Sequence, residues 1–375
     1  MKHSVSIFAF LITLSMVVLS CQNRSMTIQE EISGQTHIES NVVATTISNQ
    51  PLLDRESPFV KREFNPYLGD RWIGKAISYG CYREGQAPGV KGASEDEILE
   101  DLNILSQYWN LFRVYGADSD SERILNVIKK NNLPFRVMLG VWLENETKLP
   151  ERQPANLEQV KKAIELANRF PDLIVGINVG NESQVSWSWH HMEAETLIHY
   201  IRMVRAGTDI PVATADDYNF WNKTESQVIA NEIDFIVLHA YALWNGQQLD
   251  HAIQWTDSVY QDIQSKHPEM TIALGETGWA TVYNSKKIGP GEQGTLIKGE
   301  VSISAQENFL IDLNNWIEKN QVTTFLFEAF DEPWKGGGEQ SGPNEVEKNW
   351  GVFYKDRTPK ASFKGYLKQI NRSSN

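Results

Sequence analysis

Eight short apolar runs alternate with amphipathic helical stretches from Asp70 onward, and nothing else in the chain restricts its fold as strongly. The runs cover 72–80, 111–116, 134–140, 173–180, 211–215, 233–241, 270–277 and 323–330. The helical stretches between them include 94–108, 121–131, 156–169, 192–206, 250–266 and 304–319. In the first, Ile98, Leu102 and Leu105 recur on one helical face, and Glu95, Asp96 and Glu97 fill the first turn, where the helix dipole favours them. Asn156 and Ser304 are expected as N-caps, and Asp118 and Asp120 also read as a cap. A strand–helix alternation calls for a parallel sheet covered by helices. Eight such units imply an α/β fold with a single (β/α)8 (TIM) barrel, with an open doubly wound sheet as the structural alternative.

A barrel of this kind carries its chemistry at the C-terminal ends of its strands. Those ends hold polar and aromatic residues almost throughout: Tyr79 and Tyr82, Arg113 and Tyr115, Trp142, Asn181 and Glu182, Asp216 and Asp217, His239 and Tyr241, Glu276 and Trp279, and Asp331, Glu332 and Trp334. Two ends matter most. The fourth run closes in Gly180-Asn181-Glu182, and the seventh in Gly275-Glu276-Thr277-Gly278-Trp279. Strands four and seven face each other across the mouth of an eight-stranded barrel, so their carboxylates can flank one bond of a bound substrate. Splitting a glycosidic bond needs such a pair, one acid for the leaving oxygen and one group to attack or to activate water. Asn181 can hydrogen-bond a sugar 2-hydroxyl, and tryptophans offer flat apolar faces to sugar rings. The net charge of -13 argues against nucleic acid and anionic polymers as partners and favours a neutral substrate.

These stretches carry a family resemblance. Gly180-Asn181-Glu182 with Gly275-Glu276-Thr277-Gly278-Trp279 resembles the clan A glycoside hydrolases. Ile77-Ser78-Tyr79-Gly80, Phe112-Arg113-Val114-Tyr115, Phe327 through Lys335 and Glu347 through Phe353 narrow the resemblance to glycoside hydrolase family 17, over about residues 70–370. The resemblance implies a retaining β-1,3-glucanase of the laminarinase type, needing no cofactor and no metal. Glu182 matches the family's acid/base and Glu276 its nucleophile, while Glu332, Lys335 and Glu347 match a hydrogen-bonded network near that nucleophile. Ala280 stands where many relatives carry proline, and the insertion 282–301 departs from the shorter enzymes.

From the residues themselves, Glu276 must stay ionised to attack, and Tyr241 or Lys335 are expected to support it. Tyr241 is otherwise a rim aromatic. Arg113 is expected as a buried partner of a carboxylate at the site. Tyr79, Tyr115, Trp244, Trp279, Trp334 and Asp217 complete the expected substrate contacts, Asp217 having a helix cap as its alternative role. His239 is expected to pack in the barrel mouth, because no second histidine lies at ligand spacing. Trp187 and Trp189 are either a leaving-side platform or loop anchors. His190 and His191 read as the solvated start of a helix, and Cys81 as a small buried residue.

The N-terminus reads as a targeting segment. Lys2 and His3 precede an apolar stretch, 5–19, too short for a membrane-spanning helix, and Val18-Leu19-Ser20-Cys21 resembles the lipobox of bacterial lipoproteins. The expected organisation is a signal peptide over 1–20, a tether over 21–64 beginning at a lipidated Cys21, and a catalytic barrel over 65–375. The expected location is the bacterial cell envelope, on the outer membrane's periplasmic or outward side. The expected partner is β-1,3-glucan, bound by a monomer that meets the membrane only through its lipid. Cleavage inside the chain is favoured over cleavage at its ends. Two alternatives stay open: a transglycosylase that passes the same intermediate to a sugar hydroxyl, and a glucan-binding lipoprotein with a dead site.

Overall fold

The computed structural model describes residues 59–287 and 293–373. Eight parallel strands close on themselves: β1 (Lys75–Ser78), β2 (Leu111–Arg113), β3 (Arg136–Val141), β4 (Ile174–Asn181), β5 (Val212–Asp217), β6 (Phe235–His239), β7 (Thr271–Thr277) and β8 (Thr324–Leu326), with β8 pairing both β7 and β1. The barrel is therefore the (β/α)8 architecture that the alternation implies. The open sheet is excluded, because a closed ring has no edge strand. The first run splits: Trp72 belongs to a two-rung hairpin of Tyr67–Leu68 and Arg71–Trp72 ahead of the barrel.

The helices are α1 (Glu95–Leu105), α2 (Ser119–Asn131), α3 (Gln153–Arg169), α4 (Ala194–Gly207), the short α5 (Tyr218–Trp221) and α6 (Ser226–Ala230), α7 (Leu249–Lys266), α8 (Gln293–Leu296), α9 (Ile303–Asn320) and α10 (Ala361–Ser373). Each long helix starts where local chemistry permits. Ser94 and Glu97 form a reciprocal capping box on α1, Asp118 caps α2, and Ser302 caps α9 through Ala305 N. Two expected caps are corrected. Ser304 lies inside α9, and Asn156 lies inside α3, where its amide is buried and joins Glu144 N (2.8 Å) to the Glu146 carboxylate (2.7 Å).

The strands separate two apolar layers. Outward residues such as Ile77, Phe112, Leu139, Ile177, Leu238 and Leu274 pack under the helices. Inward residues at the lower end of the bore, Ala76, Leu111, Met138, Phe235, Val237, Ala273 and Phe325, form a separate cluster. That cluster is closed by Phe64, whose ring stacks on Phe235 at 4.2 Å. The expected tether thus ends earlier than residue 64. Arg62 donates to Thr208 O (2.7 Å), its backbone N–H to Asp234 (2.8 Å), and the guanidinium of Arg205 lies over the Phe59 ring. The expected signal peptide, Cys21 and the start of the tether lie outside the described residues.

Candidate active site

Both glutamates are aimed by the same backbone device. Along β4 and β5, Asn178 pairs Ala213 but Asn181 pairs Ala215, so β4 carries one extra residue just before its end. Gly180 takes φ +77 there, a conformation that glycine adopts without the steric cost of a side chain. Glu182 follows in left-handed backbone itself, at φ +51. Along β6 and β7, Leu238 pairs Leu274 but His239 pairs Glu276, which makes Gly275 the extra residue. A Cβ on Gly275 would sit 2.1 Å from Val237 Cγ1 and 3.1 Å from Arg113 Nη1, so only glycine fits. The bulge turns Glu276 into the bore.

There the two carboxylates share one imidazole. His239 Nδ1 lies 3.1 Å from Glu182 Oε1, and its Nε2 lies 3.0 Å from Arg113 Nη1. A guanidinium can only donate, so Nε2 accepts, and the ring proton sits on Nδ1 and is given to Glu182. Arg113, fully buried, also donates to Gly275 O (3.0 Å), Glu276 Oε1 (3.3 Å) and Asn181 Oδ1 (2.9 Å). Tyr115 donates to Glu276 Oε1 (3.0 Å) and Tyr241 to Oε2 (2.7 Å). Burial alone would raise the Glu276 pKa. The Arg113 guanidinium and the hydrogen bonds donated by the two phenols oppose it, and the carboxyl is held below its ordinary value. Oxygens of Glu182 and Glu276 come within 4.8 Å of each other. With His239 they are the only convergent group of metal-ligand type among the described residues, and the Arg113 guanidinium supplies a positive charge beside Glu276.

A second charged layer lies beside this pair. Lys335 reaches Glu328 (2.5 Å) and Glu332 (2.7 Å), and these two carboxylates hold its pKa up against burial. Burial pushes Glu328 well up, with Lys335 working against the shift and Glu332 adding to it. Lys335 stands 4.4 Å over the Phe327 ring, which packs edge-on against Tyr241. Glu347, half-buried, is pushed up to about 7 by burial, against Lys335 and helped by the charges of Glu182, Glu345 and Glu276. On the other flank, Asp216 accepts from Gln184 N (2.8 Å) and Asp217 N (2.9 Å), and burial with the nearby Glu182 charge pushes it well up. Asp217 caps α5 through Asn219 N, and burial pushes it up to about 6.

The expected site residues divide accordingly. Glu182, Glu276, Arg113, Asn181, Tyr115 and Tyr241 converge at the mouth. Glu332, Lys335 and Glu347 form the adjoining layer, and Trp334 joins it by donating to Glu332 (3.1 Å). Trp244 is half-buried beside Trp350 at 6.3 Å. Two expected substrate contacts are corrected. Tyr79 is buried between Phe112 and Phe330 and donates to Asp101 (3.1 Å). Trp279 is buried against Phe309 and donates to Glu300 O (2.9 Å), within the insertion that covers it. Neither ring offers a face to a ligand. Asp217, buried at its cap, serves the alternative role. His190 is corrected too: it precedes α4 and packs edge-on against Trp142 at 4.4 Å. Cys81 is buried, and burial pushes its thiol up to about 12, well out of the reactive range. The sequence reading missed the bridging place of His239 and the buried Glu328. His239 at the end of an apolar run, and Glu328 three and four residues ahead of Asp331 and Glu332, are the available signals.

An eight-stranded parallel barrel with paired carboxylates on β4 and β7, one held ionised in a bore of hydrogen-bond donors, is the architecture of a two-carboxylate bond-splitting enzyme. The family model for the BtgE/BtgC glycoside hydrolase domain matches residues 76–351, and the chain belongs to that family. A putative glucan endo-1,3-beta-glucosidase, btgC, from Aspergillus niger is 29% identical over 287 residues, 72% of this chain and 40% of its own length. A glucan 1,3-beta-glucosidase from Schizosaccharomyces pombe is 29% identical over 291 residues, 72% of this chain and 83% of its own. The chain therefore spans well under half of the first relative. The barrel is also similar to an endo-laminarinase from Formosa, with TM-score 0.67 and 21% identity over 80% of this chain and 88% of that one. A family 17 beta-1,3-glucanosyltransferase from Rhizomucor miehei gives TM-score 0.59 and 24% identity over 77% of this chain and 96% of that one.

Proposed function

We propose that this chain is a retaining glycoside hydrolase that cleaves β-1,3-glucan through a glycosyl-enzyme intermediate, in the manner of family 17. The observation that carries the reading is the convergence of the two carboxyl groups on one imidazole, with an oxygen of each within 4.8 Å of the other, a spacing that leaves the pair on the retaining side. Inverting enzymes keep theirs roughly 6.5–9.5 Å apart to admit a water, while retaining enzymes hold them at about 5–5.5 Å. Glu276, held ionised by Arg113, Tyr115 and Tyr241, attacks the anomeric carbon. Glu182 protonates the leaving oxygen. Once the ester forms, the Glu276 charge is gone, and Glu182 takes a proton from the incoming water. His239 keeps the two carboxyls in register throughout, since it is bonded to one and shares Arg113 with the other.

The substrate assignment is supported by the names of the relatives, which are glucan 1,3- and endo-1,3-beta-glucosidases. Glu182→Ala should lose roughly 10²–10⁴-fold in turnover, the usual worth of a general acid–base. Added azide should restore turnover and give a β-configured glycosyl azide; an α-product would rule out retention.

The N-terminal reading belongs to the same proposal. The chain is carried on a bacterial envelope membrane as a monomer, through lipid on Cys21, on the strength of the apolar stretch and the Leu19-Ser20-Cys21 sequence. Cys21→Ala should release the enzyme from the membrane fraction and abolish incorporation of a labelled fatty acid. Labelling that persists would place the lipid elsewhere or nowhere on this cysteine.

A further inference from the structure

The two carboxyls of the site are held in different ways. Glu276 is fixed through its own side chain, which accepts from Arg113, Tyr115 and Tyr241. Among the described residues Glu182 has one side-chain partner, His239 Nδ1 at 3.1 Å, and it is the more exposed of the two. Its place therefore depends on the backbone that carries it. Gly180 at φ +77 and Glu182 at φ +51 both lie in the left-handed region, where a residue with a side chain stays only if its surroundings hold it.

What holds it is the end of β5. Ala215 O accepts from Glu182 N–H (2.9 Å). The next residue, Asp216, is fully buried, and its Oδ2 accepts from Gln184 N–H (2.8 Å). Its Oδ1 accepts from Asp217 N–H (2.9 Å), which ties the carboxyl to its own strand. Residues 182 and 184 are thus pinned to two consecutive residues of the neighbouring strand, one by a carbonyl and one by a side chain. Behind them, Met192 N–H donates to Ser183 O (2.9 Å) and closes the loop. Burial and the nearby Glu182 charge disfavour the ionised form of Asp216, a cost that strand pairing does not require. Of its two bonds, the one that leaves β5 goes to the segment that carries Glu182.

We propose that Asp216 is a positioning residue for the proton donor: by holding Gln184 N–H it fixes the left-handed backbone at Glu182 and with it the reach of the Glu182 carboxyl to the leaving oxygen. The assignment rests on the glucanase reading and deepens it, giving the acid a support on β5 that is separate from the donors around Glu276. That separation has a chemical signature. A sugar alkoxide leaves only with the proton that Glu182 supplies, whereas a dinitrophenolate leaves without it. Attack by Glu276 is common to both.

The test compares kcat/KM, which reads the step in which the leaving group departs, on laminarihexaose and on dinitrophenyl β-laminaribioside. Wild-type enzyme is set beside Asp216→Asn, which keeps the shape and one acceptor oxygen, and Asp216→Ser, which keeps a single shorter acceptor. In both variants kcat/KM on the hexamer should fall roughly 10- to 100-fold, as for an ångström-scale misplacement of a reacting group. On the aryl glycoside it should stay within about twofold of wild type, because no proton is needed there. In a Glu182→Ala background, Asp216→Asn should add nothing to the loss on the hexamer, since it acts through the residue already removed. Equal losses on both substrates would overturn the proposal, because Asp216 would then shape the whole site. So would an additive loss in the double variant, unchanged rates on the hexamer, or failure of both single variants to fold. Wild-type enzyme inactive on both substrates would instead remove the glucanase reading on which the assignment rests.

Discussion

The lower and upper halves of the bore are built from the same strands, yet they share almost no chemistry. In the lower half Leu111, Val237 and Ala273 meet Phe64 and Phe235 in a cluster without a polar side chain. One inward position further along, the same strands present Arg113, His239 and Glu276. Two residues of strand are enough to pass from close-packed hydrocarbon to a network of buried charge. The lower half supplies hydrophobic free energy and fixes strand positions. The upper half costs free energy, because its carboxyls must leave water, and it holds only on a frame fixed from below. Stability and chemistry are thus segregated along the barrel axis.

Substitution can break that segregation at either end. Glu276→Gln should have the largest effect: turnover falls by more than the roughly 10²–10⁴-fold of an acid–base loss, while circular dichroism and glucan binding persist. Loss of the fold in this variant would mean that the upper half also carries the frame. Phe64→Ala should do the reverse, costing about 3–5 kcal/mol of unfolding free energy with kcat on laminarin little changed below the melting transition. A kcat that fell with stability would show that the two halves are coupled.

The smallest effect sharpens the contrast by pH. Asp217 has its pKa raised in the fold to about 6. Its favourable contribution is therefore complete below the unfolded value near about 4 and is lost as pH rises through about 6. Asp217→Asn should then be more stable than wild type at pH 7, by roughly 2 kcal/mol, with the difference vanishing toward pH 4. The deficit of Phe64→Ala should show no such slope, since no group in the lower cluster titrates. Denaturant midpoints at several pH values read both.

What the sequence makes legible follows the same division. The eight strands and both glutamates could be read because apolar runs ending in Gly-Asn-Glu and Gly-Glu-Thr-Gly are local patterns. The bulges at Gly180 and Gly275 could not, since an extra residue exists only relative to a neighbouring strand. Tyr79 and Trp279 share the strand-end position of Tyr115 and Tyr241, and only tertiary packing separates a rim aromatic from a core one. Trp279 is hidden by the insertion through Glu300, a partner 21 positions away. Phe64 lies in polar surroundings that read as a tether, and its stacking partner is Phe235, far along the chain. His239 looked like packing because its role needs both glutamates at once, one from each of two distant strands.

The seating of Phe64 also fixes the pole of the barrel at which the described chain begins. The chain enters at the pole where Phe59 meets Arg205, at the end of α4 that leads into β5, while the paired carboxylates open at the opposite pole. The full depth of the barrel separates that point of entry from the mouth, so the end of the bore where a polymer would arrive is not the end at which the described chain begins.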